Sequence, residues 1–376
     1  MAIYIEKVDV LNDKKARKRF IDIQFEIYKD DKFWVPQLRM ELNKLFKSGH
    51  PFYNTAQCAF YIAIKDGKDV GRIMAINNHN YNKFHNSKEG HWGFLDAIDD
   101  IKVFESLFNA AAEWCSSLGM EKFIGPFNPS TNYECGTLIK GYGEIPVLMM
   151  MYNYEYYQQH IESLGFTKAM DLLAYHMKTE TQMPEVIKKI AERAEKKESI
   201  TYRCVSKKRW QEEIKLMYEI YNDAWEENWG FVPMTKDEFF AMAADLKTVA
   251  DEKLILFALV NGVEAGFIVC LPDFNQVLHK IPNGKLLPTG IFQVLRAPKL
   301  IDGVRVITMG VKKKYRLYGL ESILYFRAHE NIASYKKYKN IEMSWILEDN
   351  LNMNKPLLKM NAVPYRKYRI FQKELV

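Results

Sequence analysis

The sequence repeats itself once, and this repetition restricts the fold more than any other feature. Residues 33–36 (FWVP) return as FVP at residues 231–233, an offset of 197 positions. Ahead of each copy lies a helix-like stretch that ends in the tripeptide EIY, at residues 26–28 and again at residues 219–221. Matches that keep their order at a nearly constant offset indicate a duplicated structural unit.

Two further matches indicate the architecture of that unit. Asp-Gly at residues 66–67 and Asn-Gly at residues 261–262 stand between apolar runs. Such dipeptides favour the tight turn of a β-hairpin because they adopt positive φ angles. An alternating strand pattern closes each half, at residues 171–177 and 365–373. Each half therefore predicts the order strand, helix, hairpin, strand, long helix, strand, short helix, strand.

The predicted fold class is α/β, with a mixed sheet in each of two tandem domains. The domains are predicted to cover residues 1–180 and 199–376, and a charged helical segment at residues 181–198 is predicted to connect them. This segment shows no apolar stripe wide enough to join a core. In the first domain, apolar residues between positions 103 and 118 keep helical spacing and predict the long helix.

The composition of the 376 residues is typical of a folded cytoplasmic protein. Hydrophobic residues make up 48% and charged residues 27%, which excludes wholesale disorder. The N-terminal segment has charges inside its first apolar run, unlike a secretory signal, and the apolar run at residues 147–151 is too short for a bilayer. Five cysteines without C-x-x-C spacing predict reduced thiols. A net charge of +6 is too small to indicate a nucleic acid partner.

A basic turn in the second half carries the main chemical signal. The β-branched strand at residues 304–311 runs into a turn that contains Gly319, and a helix follows. The cations of this turn are Lys312, Lys313, Lys314 and Arg316. Backbone N–H groups and the positive end of a helix dipole meet at such a turn and favour a diphosphate. Gly319 would let the ligand approach the backbone closely, because glycine has no Cβ atom.

The pattern Arg316-x-x-Gly319, after a strand and at the start of a helix, resembles the coenzyme A signature of the GNAT superfamily of N-acyltransferases. The element order of both halves is similar to that fold. The resemblance implies an acyl-CoA cosubstrate, acetyl-CoA or another acyl-CoA, and no metal. The residues that it implies at the cofactor are Met309, Gly310, Val311, Lys312, Arg316, Leu317, Tyr318, Gly319, Leu320 and Asn350. Glu321 departs from the family pattern, which has Gly or Ala at this position.

The resemblance also implies that an amine attacks the thioester directly. Such a reaction needs a base for the ammonium and an acid for the leaving thiolate. Glu348 on the late strand is the predicted base, with an ordinary surface carboxylate as the structural alternative. The short helix at residues 352–361 contains no tyrosine, so Tyr365 or Tyr368 would supply the acid unless both are strand residues without a chemical role. Asn350 would contact the pantetheine or cap the next helix.

The first half departs further from the family pattern. Residues 94–100 (FLDAIDD) stand where the glycine turn is expected, and they contain three acids and no glycine. Repulsion between these acids and a diphosphate predicts that no coenzyme A binds there. The first copy is therefore predicted to be structural or to cover the substrate. The whole chain also resembles tandem bacterial proteins of this fold, through motifs such as residues 125–128 (GPFN) and 156–157 (YY).

These features predict an acyl-CoA-dependent N-acyltransferase, with acetyl as the expected acyl group and a small amine or peptide as the acceptor. The predicted partners include neither a nucleic acid nor a membrane, and a homodimer is allowed. The alternative is a non-catalytic protein of this fold that binds acyl-CoA or another small molecule for regulation. Aminoacyl transfer from tRNA, as in Fem-type tandem proteins of the same fold, is a further alternative, although the long coiled-coil insertion of those proteins is not found in this sequence.

Overall fold

The computed structural model describes residues 3–197 and 199–375, which divide into two compact units. Unit 1 contains the residues up to Leu172, Asn275–Arg296 and the residues from Arg366 onward. Unit 2 contains Leu173–Phe274 and Ala297–Tyr365. Each unit is built from segments that are distant in the sequence, and the domain boundaries at residues 180 and 199 stay a prediction. Residue 198, the last of the predicted connecting segment, lies outside the described residues.

The helices and strands follow the predicted order in both halves of the chain. The strands are β1 (Ile3–Val8), β2 (Ala56–Lys65), β3 (Lys68–Asn78), β4 (Glu89–Ala97), β5 (Lys122–Gly125), β6 (Phe127–Asn128), β7 (Glu134–Cys135), β8 (Thr137–Lys140), β9 (Thr167–Lys178), β10 (Ile200–Cys204), β11 (Ile255–Val260), β12 (Val263–Pro272), β13 (Gly303–Val311), β14 (Asn340–Leu347) and β15 (Val363–Glu374). The α-helices are α1 (Lys14–Ile27), α2 (Arg39–Leu45), α3 (His79–His85), α4 (Ile101–Ser117), α5 (Tyr156–Ser163), α6 (Glu185–Glu195), α7 (Trp210–Trp225), α8 (Lys236–Leu246), α9 (Asn275–Leu278), α10 (Ile291–Leu295), α11 (Ala297–Leu300), α12 (Leu320–Ser334) and α13 (Leu351–Lys359).

Unit 1 has a mixed sheet with a helix on each face. Strands β1 to β4 pair antiparallel in chain order, β4 pairs parallel with β5, and the end of β15 pairs antiparallel with β5. Successive strand residues point to opposite faces. On β2, Phe60 and Ile62 accordingly join the core that contains Phe20 of α1, while Tyr61 joins the core that contains Phe104 of α4.

Unit 2 has the same arrangement of strands. Strands β10 to β13 pair antiparallel in chain order, and β14 pairs parallel with β13. Helix α7 packs on β12 and β13, and helix α12 packs on β11, β12 and β13. The predicted hairpin at residues 261–262 joins β11 to β12, with Asn261 at a φ of 51° and Gly262 at a φ of 74°. The predicted α/β fold with a mixed sheet in each half is confirmed.

The charged segment between the halves forms helix α6, which packs on α12 within unit 2. Its buried residues are Ile187, Ala191 and Ala194, which share one helix face. The sequence analysis judged the apolar stripe of this segment too narrow to join a core, whereas these residues are buried.

Candidate active site

The two parallel strands of unit 2 separate and open a cleft. They pair over Gly303–Val306 of β13 and Asn340–Met343 of β14, although β13 continues to Val311 and β14 to Leu347. The separated parts of both strands line a cleft with a volume of about 810 Å³. Beyond the paired residues, the edge that β13 would otherwise share with β14 borders this cleft.

Most of the predicted cofactor residues lie in the wall of this cleft. Those that line it are Met309, Gly310, Val311, Arg316, Leu317 and Asn350. The predicted cofactor residues outside the wall are Lys312, Tyr318, Gly319 and Leu320. Leu320 is fully buried. Asn350 also caps α13, because its side-chain oxygen accepts a hydrogen bond from the N–H of Met353 at 3.2 Å.

The turn after β13 has a conformation that explains its glycine. Lys313–Tyr318 form a 3-10 helix, and α12 begins at Leu320. Gly319 joins the two with a φ of 78°, in the left-handed region that favours glycine. A Cβ atom at this position would lie 3.2 Å from Ile190 of α6. Gly319 is therefore needed for the shape of the turn and for its packing on α6, whether or not a ligand approaches it.

Acidic side chains already neutralise part of this basic turn. The backbone N–H of Lys313 donates to Asp223 Oδ1 at 2.7 Å, and its ammonium lies 2.6 Å from Glu226. Arg316 forms an ion pair with Glu227 at 3.2 Å. The hydrogen bond from Arg316 lowers the pKa of Glu227, and the hydrogen bond to Glu226 raises the pKa of Lys313. A diphosphate at this turn would compete with these carboxylates.

Glu321, the residue that departs from the family pattern, faces the cleft. It stands in the first turn of α12 and lines the cleft together with Tyr325, one turn further along the helix. Burial raises the pKa of the Glu321 carboxyl group, and the charge of Arg316 acts in the opposite direction. Burial also raises the pKa of Tyr325. An acidic group thus stands at the place where the resemblance implies a diphosphate.

The end of helix α7 and the turn after it supply a wall that the sequence analysis missed. Trp225 and Trp229 line the cleft, and the ring of Trp225 stacks on Tyr221 with the ring centroids 4.7 Å apart. A Cβ atom at Gly310 would lie 2.2 Å from the ring of Trp225, so a glycine lets the strand and the ring approach this closely. The available signal was that Trp225 and Trp229 stand shortly before the repeated motif at residues 231–233.

The predicted catalytic residues lie outside the wall of the cleft. Asp349 lines it, whereas the neighbouring Glu348 does not. The hydroxyl of Tyr365 donates to Glu342 Oε1 at 3.4 Å. Tyr368 is fully buried and belongs to unit 1. Neither tyrosine therefore lines the cleft in which an acid would act. The catalytic roles of Glu348, Tyr365 and Tyr368 stay predictions.

A buried polar network reaches the cleft through Ser344. The hydroxyl of Ser344 donates to Glu342 Oε2 at 2.8 Å and accepts from Arg305 Nε at 3.2 Å. Arg305 Nε lies 3.7 Å from Glu342 Oε2, and both side chains are almost completely buried. Because Ser344 itself lines the cleft, this network connects a wall of the cleft with the core of unit 2.

The equivalent strand end in unit 1 is closed by its own side chains. The N–H of Ala97, the last residue of β4, donates to the Tyr157 hydroxyl at 2.9 Å, and Tyr156 donates to the Ala97 carbonyl at 2.7 Å. Burial raises the pKa of Tyr157. Asp96, one of the three acids noted in the sequence, pairs with the buried Arg72 at 2.7 Å. Backbone groups at this strand end are thus bonded to protein atoms.

The part of the chain that the structure describes contains neither a candidate metal site nor a helix that could span a membrane. Within residues 3–197 and 199–375, no group of three or more His, Cys, Asp or Glu side chains is arranged to hold a metal ion. Over the same residues, none of the helices combines the length and the apolar character that crossing a bilayer requires.

Comparison with known sequences places the chain among bacterial relatives. No family model matches it. It is 36% identical over 382 residues to protein YghO of Escherichia coli (strain K12), a match that covers 100% of this chain and 97% of that protein. It is 33% identical over 365 residues to the bacterial ceramide synthase of Caulobacter vibrioides (strain NA1000 / CB15N), with 95% and 94% covered. The chain belongs to the family of these two proteins.

Solved structures identify the fold of this family member. A tandem GNAT protein from the clavulanic acid biosynthesis pathway matches it with a TM-score of 0.60 at 10% identity, covering 100% of this chain and 99% of that chain. A GNAT-type N-acetyltransferase from Sphaerobacter thermophilus matches it with a TM-score of 0.53 at 11% identity, covering 99% and 96%. At these identities the likeness concerns the fold alone. The predicted GNAT fold and its tandem arrangement are confirmed.

Proposed function

We propose that this protein is an N-acyltransferase that moves a long acyl group from coenzyme A to the amine of a long-chain amino alcohol. The observation that carries the proposal is the cleft between the separated strands β13 and β14, in a chain that is 33% identical to a ceramide synthase over 95% of its length. A ceramide is the amide of a fatty acid with a long-chain amino alcohol. The proposal therefore differs from the sequence analysis, which expected an acetyl group and a small acceptor.

The cleft wall is suited to long hydrocarbon chains. Apolar side chains line it from several parts of unit 2, namely Trp225 at the end of α7, Trp229 in the turn after that helix, Met309 on β13, Met343 on β14 and Met353 on α13. Methionine and tryptophan offer a large and adaptable apolar contact area. A cleft of about 810 Å³ has the size of a site for a large ligand.

The reaction needs a proton acceptor for the attacking amine, and Asp349 is the carboxylate that we assign to it. The free amine attacks the thioester carbonyl carbon, the bond between carbon and sulfur breaks, and the thiolate of coenzyme A takes up a proton as it leaves. Asp349 lines the cleft at the end of β14, beside Asn350, where the sequence analysis expected the neighbouring Glu348 to act. Glu227 also lines the cleft, but its ion pair with Arg316 stabilises its charged form.

The assay of this proposal combines palmitoyl-CoA with sphinganine, a long-chain amino alcohol. We expect release of free coenzyme A thiol together with an amide product that mass spectrometry identifies as N-palmitoyl sphinganine. The Asp349→Asn variant should lose most of its turnover number and keep its affinity for palmitoyl-CoA, because proton transfer typically contributes about 10²-fold or more to the rate. Glu348→Gln is the matched control on the adjacent position.

Two results of this assay would contradict the proposal. Absence of an amide product with every long-chain amine would favour the second candidate function, a protein that binds acyl-CoA without turnover. That candidate is supported by Glu321 in the cleft and by the pairing of Lys313 and Arg316 with acids. Transfer from acetyl-CoA to a short amine that is faster than transfer from palmitoyl-CoA to sphinganine would also contradict the proposal. It would favour the acetyl group and the small acceptor that the sequence analysis expected.

Glu321 should make coenzyme A binding depend on pH. Its carboxyl group is protonated below its raised pKa and carries a charge above it, so repulsion of the diphosphate should appear as the pH rises through that pKa. We expect the affinity of the protein for coenzyme A to fall as the pH rises through the raised pKa of Glu321. The Glu321→Gln variant should show a flatter profile and bind about tenfold more tightly at neutral pH. Isothermal titration calorimetry measures both, and identical profiles would show that Glu321 lies away from the diphosphate.

A further inference from the structure

The second half of the chain contains a segment that the first half lacks. Between β12 and β13 the chain runs through residues 273–302, whereas the corresponding connection between β3 and β4 covers residues 79–88. Most of the longer connection, Asn275–Arg296, belongs to unit 1. Because the sheet of the repeated unit closes without such a segment in the first copy, the extra residues serve something other than the formation of that unit.

The inner side of this segment is held by hydrogen bonds within unit 1. The backbone N–H of Arg39 donates to the carbonyl of Gly284, and the Arg39 guanidinium donates to the carbonyl of Asn283, both at 2.8 Å. The ring of His279 donates to the carbonyl of Lys32 at 2.9 Å. These hydrogen bonds hold residues 279–284 of the segment on unit 1.

The segment exposes large apolar side chains. Leu287 and Leu295 are each 70% exposed, and Phe292 on α10 is 62% exposed. These three residues lie within nine consecutive positions, beside the half-buried Ile291. Single exposed apolar residues are ordinary on protein surfaces, but a cluster of large ones indicates a surface that meets another apolar phase.

The charge of the segment indicates what kind of apolar partner would meet these side chains. The stretch 275–296 contains no aspartate or glutamate. It does contain three exposed cations, Lys280, Lys285 and Arg296, which flank the apolar residues in the sequence. Apolar side chains flanked by Lys and Arg are the composition that binds the interface of a bilayer with anionic lipids, since the cations meet the headgroups and the apolar groups enter the acyl boundary.

We propose that residues 275–296 dock this protein on the surface of an anionic lipid bilayer, with Leu287, Phe292 and Leu295 inserted at the level of the headgroups. This proposal departs from the sequence-based expectation of no membrane partner. It goes beyond the proposed reaction and does not depend on it, because a protein of any activity could bind a membrane in this way. The cytoplasmic surface of a bacterial membrane is the matching partner, as it carries anionic lipid.

The test is sedimentation of the purified full-length protein with vesicles that contain equal amounts of phosphatidylcholine and phosphatidylglycerol, without acyl-CoA or amine. We expect the protein to sediment with these vesicles and to bind vesicles of pure phosphatidylcholine much more weakly. The triple variant Leu287→Ser, Phe292→Ser, Leu295→Ser should bind about tenfold more weakly or worse, since three apolar side chains are lost from the interface. The variant Lys280→Gln, Lys285→Gln, Arg296→Gln should lose the preference for phosphatidylglycerol.

A matched control separates this segment from general surface hydrophobicity. The triple variant Tyr4→Ser, Val186→Ser, Val263→Ser removes apolar residues that are 63%, 53% and 52% exposed elsewhere, and it should sediment like the original protein. Circular dichroism should show unchanged folding for all variants. Equal vesicle binding by the Leu287, Phe292 and Leu295 variant would overturn the proposal. So would a dimer of the original protein, seen by light scattering, that this variant converts to a monomer, because the face would then join two copies of the chain.

Discussion

In the Gly310→Val variant, the rate of acyl transfer should decrease by a factor of at least about 10². A misplacement of about 1 Å in an active site can cause a loss of this size. Gly310 lies on the separated part of β13 and lines the cleft. A Cβ atom there would lie 2.2 Å from the ring of Trp225 and 3.0 Å from the Cβ of Ala224. The valine must therefore displace the tryptophan ring, the strand, or both, and either movement changes the cleft wall. Thiol release from palmitoyl-CoA in the presence of sphinganine measures the effect.

Two companion variants make this result interpretable. Gly310→Ala adds the smallest side chain and should show an intermediate loss, which keeps the experiment informative if the valine variant folds poorly. Gly49→Val is the control, because a Cβ atom at Gly49 would meet no atom within 4 Å, and its activity should be unchanged. A Gly310→Val variant with an unchanged melting temperature and full turnover would show that the chemistry takes place away from this cleft.

The Glu342→Leu variant should be less stable than the original protein by about 3 kcal/mol or more. This change removes a buried carboxylate that lies 3.7 Å from Arg305 and leaves the guanidinium charge almost fully buried without it. It also removes the acceptor of the Ser344 hydroxyl, so the cleft wall loses a fixed group. Urea denaturation followed by circular dichroism should show the transition of unit 2 at a lower urea concentration.

The double variant Arg305→Met, Glu342→Leu distinguishes a buried charge from a lost contact. Replacing both members of a buried ion pair by apolar residues of similar volume is often neutral or stabilising, whereas removing one member is costly. We therefore expect the double variant to regain most of the free energy of unfolding that Glu342→Leu loses. A double variant that is less stable than the single one would show that packing of the Glu342 side chain, rather than its charge, stabilises this region.

Most of the fold was predictable because its signals are local and occur twice. The Asn-Gly turn at residues 261–262 forms the predicted hairpin between β11 and β12, and the periodicity around Leu107 forms the predicted helix α4. Turn residues and apolar spacing act within about ten residues, so a single sequence contains them in full. Helix α6 shows the limit of this approach, since its apolar face was judged too narrow to join a core although Ile187, Ala191 and Ala194 are buried.

The candidate site was predictable in part. The strand residues Met309 to Val311 were expected at the cleft and line it, because the order of strand, turn and helix fixes where a strand ends. Glu348 was expected there as well, but its neighbour Asp349 lines the cleft. Both residues follow the end of β14 at Leu347, so the strand alternation no longer sets their direction and the conformation of the turn decides it.

The sequence by itself determined that the chain would form two copies of one α/β unit, and that a basic turn with Gly319 would stand before a helix in the second copy. Only the tertiary structure decided the electrostatics of that turn. Asp223, Glu226 and Glu227 come from the end of α7, roughly ninety positions earlier in the chain, and they bond to Lys313 and Arg316. A charge acts through distance in space, and residues far apart in sequence become neighbours only when the helices pack on the sheet.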